Sequence, residues 1–370
     1  ISKVAKVVQK VKDALEEKIG TPITEVAVAL AGRSLVTNKG IGKKEINPKE
    51  EITEEDLLAL ELAAIQNSLS GLDKSIGKDY HCVGYTISEF KLDGEKIKNP
   101  LFQKGTNLEV EILATFLPRN VVESMFTMAK KVDLEIINLT LEPIAAISVV
   151  IPEDMRKLNL ALVDIGAGTS DIAVTKDGKV IGYEMVPMAG DEVTEKIADE
   201  FLLDFTEAEL VKRALNTDDE TVKYTDVLGM EYEIPCKEVT SKIENTIKEL
   251  AVKIADKVIE LNGKATQAVI LIGGGSLIPV LRDKLSEAIS LSTARIAVRG
   301  TEVIKNFEDL SGILKTAEFV TPVGIANMAV QGRGFKIVSI TIDKKIYRIF
   351  SFKNVISIMD AFLSAGIDSK

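Results

Sequence analysis

The stretch LALVDIGAGTSDIAV, residues 160–174, decides the fold and raises the question of function. An apolar run ends on Asp164, the chain turns through Gly166 and Gly168, and a second apolar run follows Asp171. Two apolar runs this close together predict a strand, a tight turn and a second strand. A plain hairpin explains that shape, whereas a phosphate-binding loop explains both the shape and the chemistry.

The residues of the turn suit an anion. Glycines permit positive φ and remove side-chain bulk, so successive backbone N–H groups can point at phosphate oxygens. Thr169 and Ser170 add hydroxyl donors, and Asp164 can hold Mg²⁺ directly or through water, because this cation prefers oxygen ligands. No Gly-Lys-Ser/Thr follows and the next element is a strand, so the loop is neither a Walker A loop nor a GxGxxG fingerprint.

A second glycine loop, ILIGGGSLIP, places Gly273, Gly274 and Gly275 between a predicted buried strand and a predicted helix. Three glycines at a helix start allow close approach of a flat or anionic ligand, assisted by the helix dipole. The alternative is a strand-to-helix turn that needs left-handed geometry, for which one glycine suffices.

Composition excludes several kinds of function. The chain has 370 residues and a net charge of −10, which disfavours a nucleic-acid partner. Two cysteines and one histidine leave little material for a disulfide framework, a Ser-His-Asp triad or a zinc site. His81 is predicted to be an ordinary strand residue. With only two cysteines, far apart in the sequence, a reducing cytoplasm is the expected location. No apolar run approaches the ~18 residues that span a bilayer.

Periodicity predicts the remaining elements. Val4, Val7, Val11 and Leu15 predict a helix that ends near Gly20. The stretch TEVAVALAG predicts a buried strand ending at Gly32, and Thr53 with Asp56 resembles a capping box. Asp177–Gly178 predicts a hairpin turn. A long amphipathic helix is predicted to bury one face, with a coiled-coil seam as the alternative; that face consists of Ile243, Ile247, Leu250, Ile254 and Val258.

The order of these motifs resembles the actin-like ATPase superfamily. The first loop is similar to its second phosphate motif, and ILIGGGSLIP to its adenosine motif. LEPIAAI and TPVGIANMA resemble its two connecting helices. Within the superfamily, VDIGAGTSDIAV…VPMAGDEVTEKIA, KNPLFQKGTNLEVEI and FTEAELVKRAL are most similar to the FtsA family of bacterial cell-division actins, with PilM proteins as near relatives.

The resemblance implies an α/β fold of two ribonuclease-H-like lobes around a nucleotide cleft. Lobe 1 would comprise residues 1–32 and 116–156, interrupted by an FtsA-type 1C subdomain at 33–115. Lobe 2 would comprise 157–200 and 266–331, with subdomain 2B at 201–265. Residues 332–370 would start a small strand–strand–helix module.

The resemblance also implies roles for individual residues toward ATP and Mg²⁺. Asp164 would sit near Mg²⁺, and Glu142 near the attacking water. Gly190 and Asp191 would approach the ribose, while Glu209 and Lys212 would flank ribose and adenine. The β- and γ-phosphates would be wrapped by Gly166, Ala167, Gly168, Thr169 and Ser170. The adenine and α-phosphate would be lined by Gly273, Gly274, Gly275 and Ser276.

Two features depart from the FtsA pattern. The first phosphate hairpin of the superfamily has no counterpart in this sequence, and we expect it to lie in an N-terminal piece that precedes Ile1. The stretch SIMDAFLSAGI has a poor basic face for a membrane-surface helix, so we expect it to pack on its own hairpin.

Three functions remain open. The first is an FtsA-type scaffold that binds ATP, assembles with itself head to tail, hydrolyses ATP slowly or not at all, and contacts a tubulin-like division protein. The second is a PilM-type adaptor that docks a peptide of a pilus membrane protein. The third, a sugar kinase, lacks a convincing catalytic Asp. Contact with the inner face of the membrane would be indirect or through a part outside this sequence.

Overall fold

The computed structural model describes residues 1–30, 35–72, 80–217, 219–305, 307–332, 336–342 and 345–351. Contacts divide the chain into two units, and each is described by itself. Unit 1 comprises Ile1–Ala145 and Ile325–Lys370, and unit 2 comprises Ala146–Gly324. The boundaries between the units fall within α4 (Glu142–Val150) and α9 (Val320–Val330). The finer division into four subdomains stays a prediction.

Unit 2 is built on one five-stranded sheet in the order β13-β12-β7-β8-β9. Strands β7, β8 and β9 form an antiparallel meander, whereas β12 and β13 run parallel to β7. Their bounds are Leu160–Ile165 (β7), Ser170–Lys176 (β8), Lys179–Val186 (β9), Ala268–Ile272 (β12) and Ile296–Val298 (β13). Every residue of β7 is buried, as expected for the central strand of a sheet covered on both faces.

Helices cover this sheet, and α7 supplies the longest buried face. All five apolar residues predicted for that face are fully buried in the unit's own core, so the intramolecular alternative to a coiled coil is confirmed. Asp177 and Gly178 both have positive φ, which confirms the predicted hairpin turn. The other elements of unit 2 are α5 (Gly190–Phe201), α6 (Phe205–Ala214), β10 (Thr221–Thr225), β11 (Glu231–Pro235), α7 (Cys236–Asn262) and α8 (Leu281–Ile289).

Unit 1 contains a four-stranded antiparallel sheet in the order β2-β5-β3-β4. Helix α2 (Glu54–Ser70) lies close against it, because a Cβ on Gly40 or Gly42 would come within about 2 Å of α2 carbonyl oxygens. Thr53 and Asp56 form the predicted capping box at its start. The strands are β2 (Val36–Glu45), β3 (Tyr80–Leu92), β4 (Glu95–Ile97) and β5 (Asn107–Pro118), and His81 lies in β3 as predicted.

The rest of unit 1 corrects one prediction. Helix α1 (Ser2–Ile19) ends at Gly20 as predicted, and β1 (Glu25–Leu30) pairs in parallel with β6 (Glu135–Leu141). The prediction that β1 is buried is wrong for most of its length. Its only partner among the described strands is β6, and of its six residues only Leu30 is buried. The predicted apolar face of α1 is likewise exposed, for example at Val7 and Val11.

Three further elements complete the description: α3 (Arg119–Lys131), β14 (Lys336–Ile342) and β15 (Lys345–Ser351). Strands β14 and β15 form the predicted C-terminal hairpin, while the predicted helix after it lies outside the described residues. Among the helices that the structure describes, none combines the length and apolar character needed to cross a bilayer.

Candidate functional site

The predicted phosphate loop is a tight hairpin that brings two carboxylates together. Strands β7 and β8 pair Ile165 with Ser170, so the next pair along the ladder is Asp164 and Asp171. Paired residues of an antiparallel ladder point to the same face of the sheet. Both aspartates are buried, with 8% and 3% of their surface exposed. The hairpin therefore presents a desolvated pair of acids at the end of a central strand.

The environment of this pair raises both pKa values. Burial raises the pKa of Asp164, and a hydrogen bond from the Thr321 hydroxyl opposes that shift. Burial and the adjacent charge of Asp164 raise the pKa of Asp171 to about 7, against a weaker opposing hydrogen bond from Thr169. A buried pair of like charges is costly unless one acid is protonated or a cation lies nearby. The pair is therefore stabilised either by a proton on one carboxyl or by a bound cation.

We expect Asp171→Asn to change the pH dependence of stability. The pKa of Asp171 is raised from 3.8, so its contribution to stability is fully present below about pH 4 and is lost as the pH rises through about 7. The linkage relation gives a loss of about 2 kcal/mol between pH 5 and pH 7. Urea unfolding of the nucleotide-free protein at both values should show this loss in the wild type, and the variant should keep only the pH dependence that Asp164, whose pKa burial also raises, contributes.

The exposed pair of Asp154 and Lys305 supplies the control, since Asp154→Asn should leave that pH dependence as it is. An Asp171→Asn protein with the full wild-type dependence would show that Asp171 titrates normally.

The start of α5 closes over the turn. The Gly190 N–H donates to the Gly166 carbonyl at 3.1 Å, and the Asp191 N–H donates to the Ala167 carbonyl at 2.8 Å. The Ser170 hydroxyl is fully buried and donates to the Met188 carbonyl at 2.8 Å, so this side chain fastens the hairpin to the chain before α5. Of the two hydroxyls predicted to contact phosphate, only that of Thr169 lies on the less buried part of the turn.

Glu209 and Lys212 extend from α6 to the same helix start. Lys212 Nζ donates to the Gly190 carbonyl at 2.9 Å and lies 2.6 Å from Glu209 Oε2. The Thr194 hydroxyl accepts from Lys212 and donates to Glu209, at 2.7 Å in both cases. Burial alone would raise the pKa of Glu209, but hydrogen bonds from Lys212, Thr194 and Arg213 outweigh it and lower the pKa. Both predicted residues therefore lie beside the loop.

The second glycine loop packs directly on the end of β7. A Cβ on Gly273, which has φ +81°, would lie 2.4 Å from Asp164 Oδ1, and a Cβ on Gly275 would lie 2.4 Å from Ile165 Cγ2. The Gly273 N–H donates to the Ala317 carbonyl, and its own carbonyl accepts from the Ser276 hydroxyl at 2.6 Å. Gly273 is required because the Asp164 carboxylate and the Ile165 carbonyl oxygen approach it closely, and Gly275 is required because the Ile165 side chain does.

The prediction that the glycine run begins the helix is wrong. Gly274–Leu277 forms a short 3₁₀ turn, and α8 begins only at Leu281. Pro279 accounts for the interruption, since the residue before a proline is driven into extended geometry, and Ile278 has φ −56° and ψ 127°. The helix dipole of α8 therefore does not act from the glycines themselves.

The structure brings fourteen of the fifteen predicted site residues into unit 2, while Glu142 begins α4 in unit 1, so its role stays a prediction. Two residues of the site were not predicted from the sequence: Asp171, which pairs with Asp164, and Thr321, whose hydroxyl donates to Asp164. Asp171 follows from the length of the turn, whereas Thr321 is 157 residues away from Asp164 and carries no local signal. Among the described residues, no group of three or more His, Cys, Asp or Glu side chains could hold a metal ion by itself.

Comparisons with known proteins match the stretch that builds this site. The family model for cell division protein FtsA matches residues 161–324. The cell division protein FtsA of Escherichia coli is 29% identical over 214 residues, which are 57% of this chain and 49% of that protein. FtsA of Bacillus subtilis is 26% identical over 211 residues, 56% of this chain and 46% of its own length.

A solved structure, the PilM–PilN type IV pilus biogenesis complex, matches over 88% of this chain and 85% of its own, with a TM-score of 0.59 and 18% identity. Residues 161–324 of this chain are therefore similar to the FtsA family of cell division proteins, and the fold of the chain is similar to that of the PilM–PilN complex. The actin-like ATPase fold predicted from the motifs is thus confirmed. The chain spans about half the length of the curated relatives that it matches, so the activities and partners of the whole protein are proposals.

Proposed function

We propose that this chain is an ATP-binding actin-like scaffold of the FtsA type, which assembles with itself in a nucleotide-dependent manner and links a bacterial division or envelope machine to the membrane. The buried Asp164–Asp171 pair beside the glycine turn at Gly273 carries the proposal. This pair lies within residues 161–324, the stretch that the FtsA family model matches.

The residues of the site fit ATP and Mg²⁺. Two desolvated carboxylates with raised pKa values suit a divalent cation, and Mg²⁺ in nucleotide sites commonly binds through one or two carboxylates, phosphates and waters. The lack of a three-ligand cluster among the described residues is therefore compatible with Mg²⁺. Asp164 would hold the cation, and the turn at 166–169 would hold phosphates through its backbone N–H groups. Bound Mg²⁺ would neutralise phosphate charge.

The polar network beyond the loop suits the nucleoside. Gly273 to Ser276 would line the base and α-phosphate, where missing side chains let a ligand approach the backbone. Glu209 and Lys212 would lie on the ribose side with Gly190 and Asp191. Lys212 is tied to Gly190, Thr194 and Glu209, so its role would be to hold α5 against the loop. The visible apparatus for phosphoryl transfer is sparse, so hydrolysis would be slow or absent.

Self-assembly is the direct test of the scaffold. With ATP, Mg²⁺ and a lipid monolayer, we expect the full-length protein to form filaments in negative-stain electron micrographs, because a head-to-tail contact that does not close generates an open polymer. Asp164→Ala should abolish the filaments, while Asp154→Ala, at an exposed carboxylate, should leave them. Absence of filaments with every nucleotide would contradict the proposal. The expected location is cytoplasmic, at the inner face of the membrane.

A second candidate, a PilM-type adaptor, rests on the breadth of the structural match. The PilM–PilN complex matches 88% of this chain in structure, which extends beyond residues 161–324, the stretch that the FtsA family model matches. In that case a peptide of a pilus membrane protein would dock on the four-stranded sheet of unit 1. Affinity capture with the full chain distinguishes the two, since a tubulin-like division protein favours the scaffold and a pilus membrane protein favours the adaptor.

A further inference from the structure

A lysine-lined cavity lies at the far end of the unit 2 sheet from the phosphate loop. It has a volume of about 280 Å³, and its lining includes Lys157, Asn159, Lys176, Asp177, Lys264 and Gln267. Asn159 precedes β7, Gln267 precedes β12, and Asp177 follows β8. These are the opposite strand ends to those that carry Asp164 and Gly273. Six residues of strand separate the two ends by roughly 20 Å, so the cavity is distinct from the candidate nucleotide site.

The floor of the cavity is fixed by reciprocal hydrogen bonds. The Asn159 N–H donates to Gln267 Oε1 at 3.0 Å, and the Gln267 N–H donates to the Asn159 carbonyl at 2.7 Å. The Asn159 side-chain amide also donates to the Thr175 carbonyl at 2.9 Å. The hairpin turn is held as well, since the Gly178 N–H donates to the Arg156 carbonyl. These hydrogen bonds fix the strand ends from which the lysines extend, so the backbone of the cavity needs little ordering when a ligand binds.

The charge of the cavity is opposite to that of the chain. Within the described residues, Lys157, Lys176 and Lys264 make no ion pair, although many other lysines of this acidic chain do. Arg295 adds a fourth positive charge beside the lining, where it donates to the Gln267 carbonyl at 3.1 Å. Asp177 is the one acid of the lining. Several unpaired cations around a concave surface create a local positive potential despite a net charge of −10.

We propose that this cavity binds a small anion that carries two or more negative charges on phosphate groups. Lysine ammonium groups bind phosphate as point charges, and three of them surround this cavity. A nucleobase or another flat apolar group finds no partner here, since Ala265 is the one apolar residue of the lining. The volume is at the lower end of small-molecule sites, which suits a compact ligand. The phosphate can belong to a free polyphosphate or to a lipid headgroup.

Pyrophosphate is the probe for the free ligand. Calorimetry uses the full chain with Asp164→Asn and with EDTA present, so that the nucleotide site does not contribute. We expect saturable binding with one pyrophosphate per chain, weakened at least 10-fold when Lys157, Lys176 and Lys264 are all replaced by Gln. A matched control replaces Lys237, Lys248 and Lys253, three exposed lysines of α7, and changes the net charge equally. This control should bind like the parent.

Asp177→Asn gives a variant that should gain affinity. It removes the one negative charge of the lining, and Asn tolerates the positive φ of 53° at this position. We expect pyrophosphate binding at least 3-fold tighter, and an affinity that falls as salt is added.

Vesicle sedimentation tests the second source of phosphate. Binding to vesicles that contain cardiolipin, whose headgroup carries two phosphates, but not to phosphatidylcholine vesicles, lost in the cavity triple variant and kept in the control, assigns the site to a lipid headgroup. Pyrophosphate binding with the same dependence assigns it to a free ligand. Equal losses in both triple variants, or no binding of either probe, overturn the proposal. So does loss of self-association in the cavity variant alone, without anion binding, because an acidic surface of a second copy would then be the occupant.

Discussion

Asp164→Ala should abolish Mg²⁺-dependent nucleotide binding, with a dissociation constant for ATP raised at least 100-fold. The Asp164 carboxylate lies at the end of β7, beside Asp171 and Gly273, with a hydrogen bond from the Thr321 hydroxyl. Its removal deletes the group that would hold the cation and leaves the phosphates without charge compensation at this point. Fluorescence titration with a labelled ATP, in Mg²⁺ and in EDTA, measures the effect.

The variant should still fold, and that separates binding from stability. Alanine removes a buried carboxylate with a raised pKa as well as one hydrogen bond, and these two changes oppose each other in the free energy of unfolding. We expect a net change within about 2 kcal/mol by urea unfolding. Asp164→Asn, which keeps the shape and the contact to Thr321, should lose binding to a similar extent. Unchanged affinity in both variants would contradict the assignment of the loop.

The local sequence pattern was sufficient to predict the elements that depend only on neighbouring residues. The turn at Asp177–Gly178, the Thr53–Asp56 capping box and the buried face of α7 are all encoded within a few turns or strand positions. The hairpin also contains the register that pairs Asp164 with Asp171, because a four-residue turn from 166 to 169 brings 165 opposite 170. The pairing of Asp164 with Asp171 could therefore have been predicted from the sequence, although it was not.

Features that depend on contacts between distant parts of the chain could not be predicted from the sequence. The periodicity of α1 predicts an apolar face but does not tell what covers it, and in the described residues Val7 and Val11 are exposed. Thr321 reaches Asp164 from the start of α9, 157 residues away. The lysine cavity likewise gathers residues from three chain segments, 157–159, 176–177 and 264–267, none of which is basic enough to stand out alone.

The glycine run at 273–275 shows most clearly what cannot be predicted from the sequence alone. Three consecutive glycines suggested one shared reason, a ligand approaching a helix start. The structure gives three different environments: a positive φ and contact with Asp164 at Gly273, a single neighbour at 4.0 Å from an added Cβ at Gly274, and contact with the Ile165 side chain at Gly275. Sequence alone cannot separate conformational strain from close packing, because both select glycine.

Substitutions in this run should therefore have unequal effects, with Gly273→Ala the most destabilising. Its Cβ would meet Asp164 Oδ1 at 2.4 Å and the Ile165 carbonyl oxygen at 2.5 Å, and the position also has φ +81°. A left-handed conformation costs a non-glycine residue roughly 1–2 kcal/mol, and overpacking against backbone adds about 1–3 kcal/mol. We expect a total loss of about 2–5 kcal/mol in the free energy of unfolding, measured by urea titration with circular dichroism.

Two controls isolate the clash from the strain. Gly229 has φ +82°, and a Cβ added there would meet nothing within 4 Å, so Gly229→Ala should lose only the roughly 1–2 kcal/mol of conformational strain. Gly274→Ala has no positive φ and its nearest neighbour is 4.0 Å away, so it should be nearly neutral. If Gly273→Ala costs no more than Gly229→Ala, then β7 and the glycine turn do not pack as closely as the 2.4 Å approach implies. There would then be room for a side chain beside Asp164, at the point where the proposed nucleotide site requires the ligand to contact the backbone.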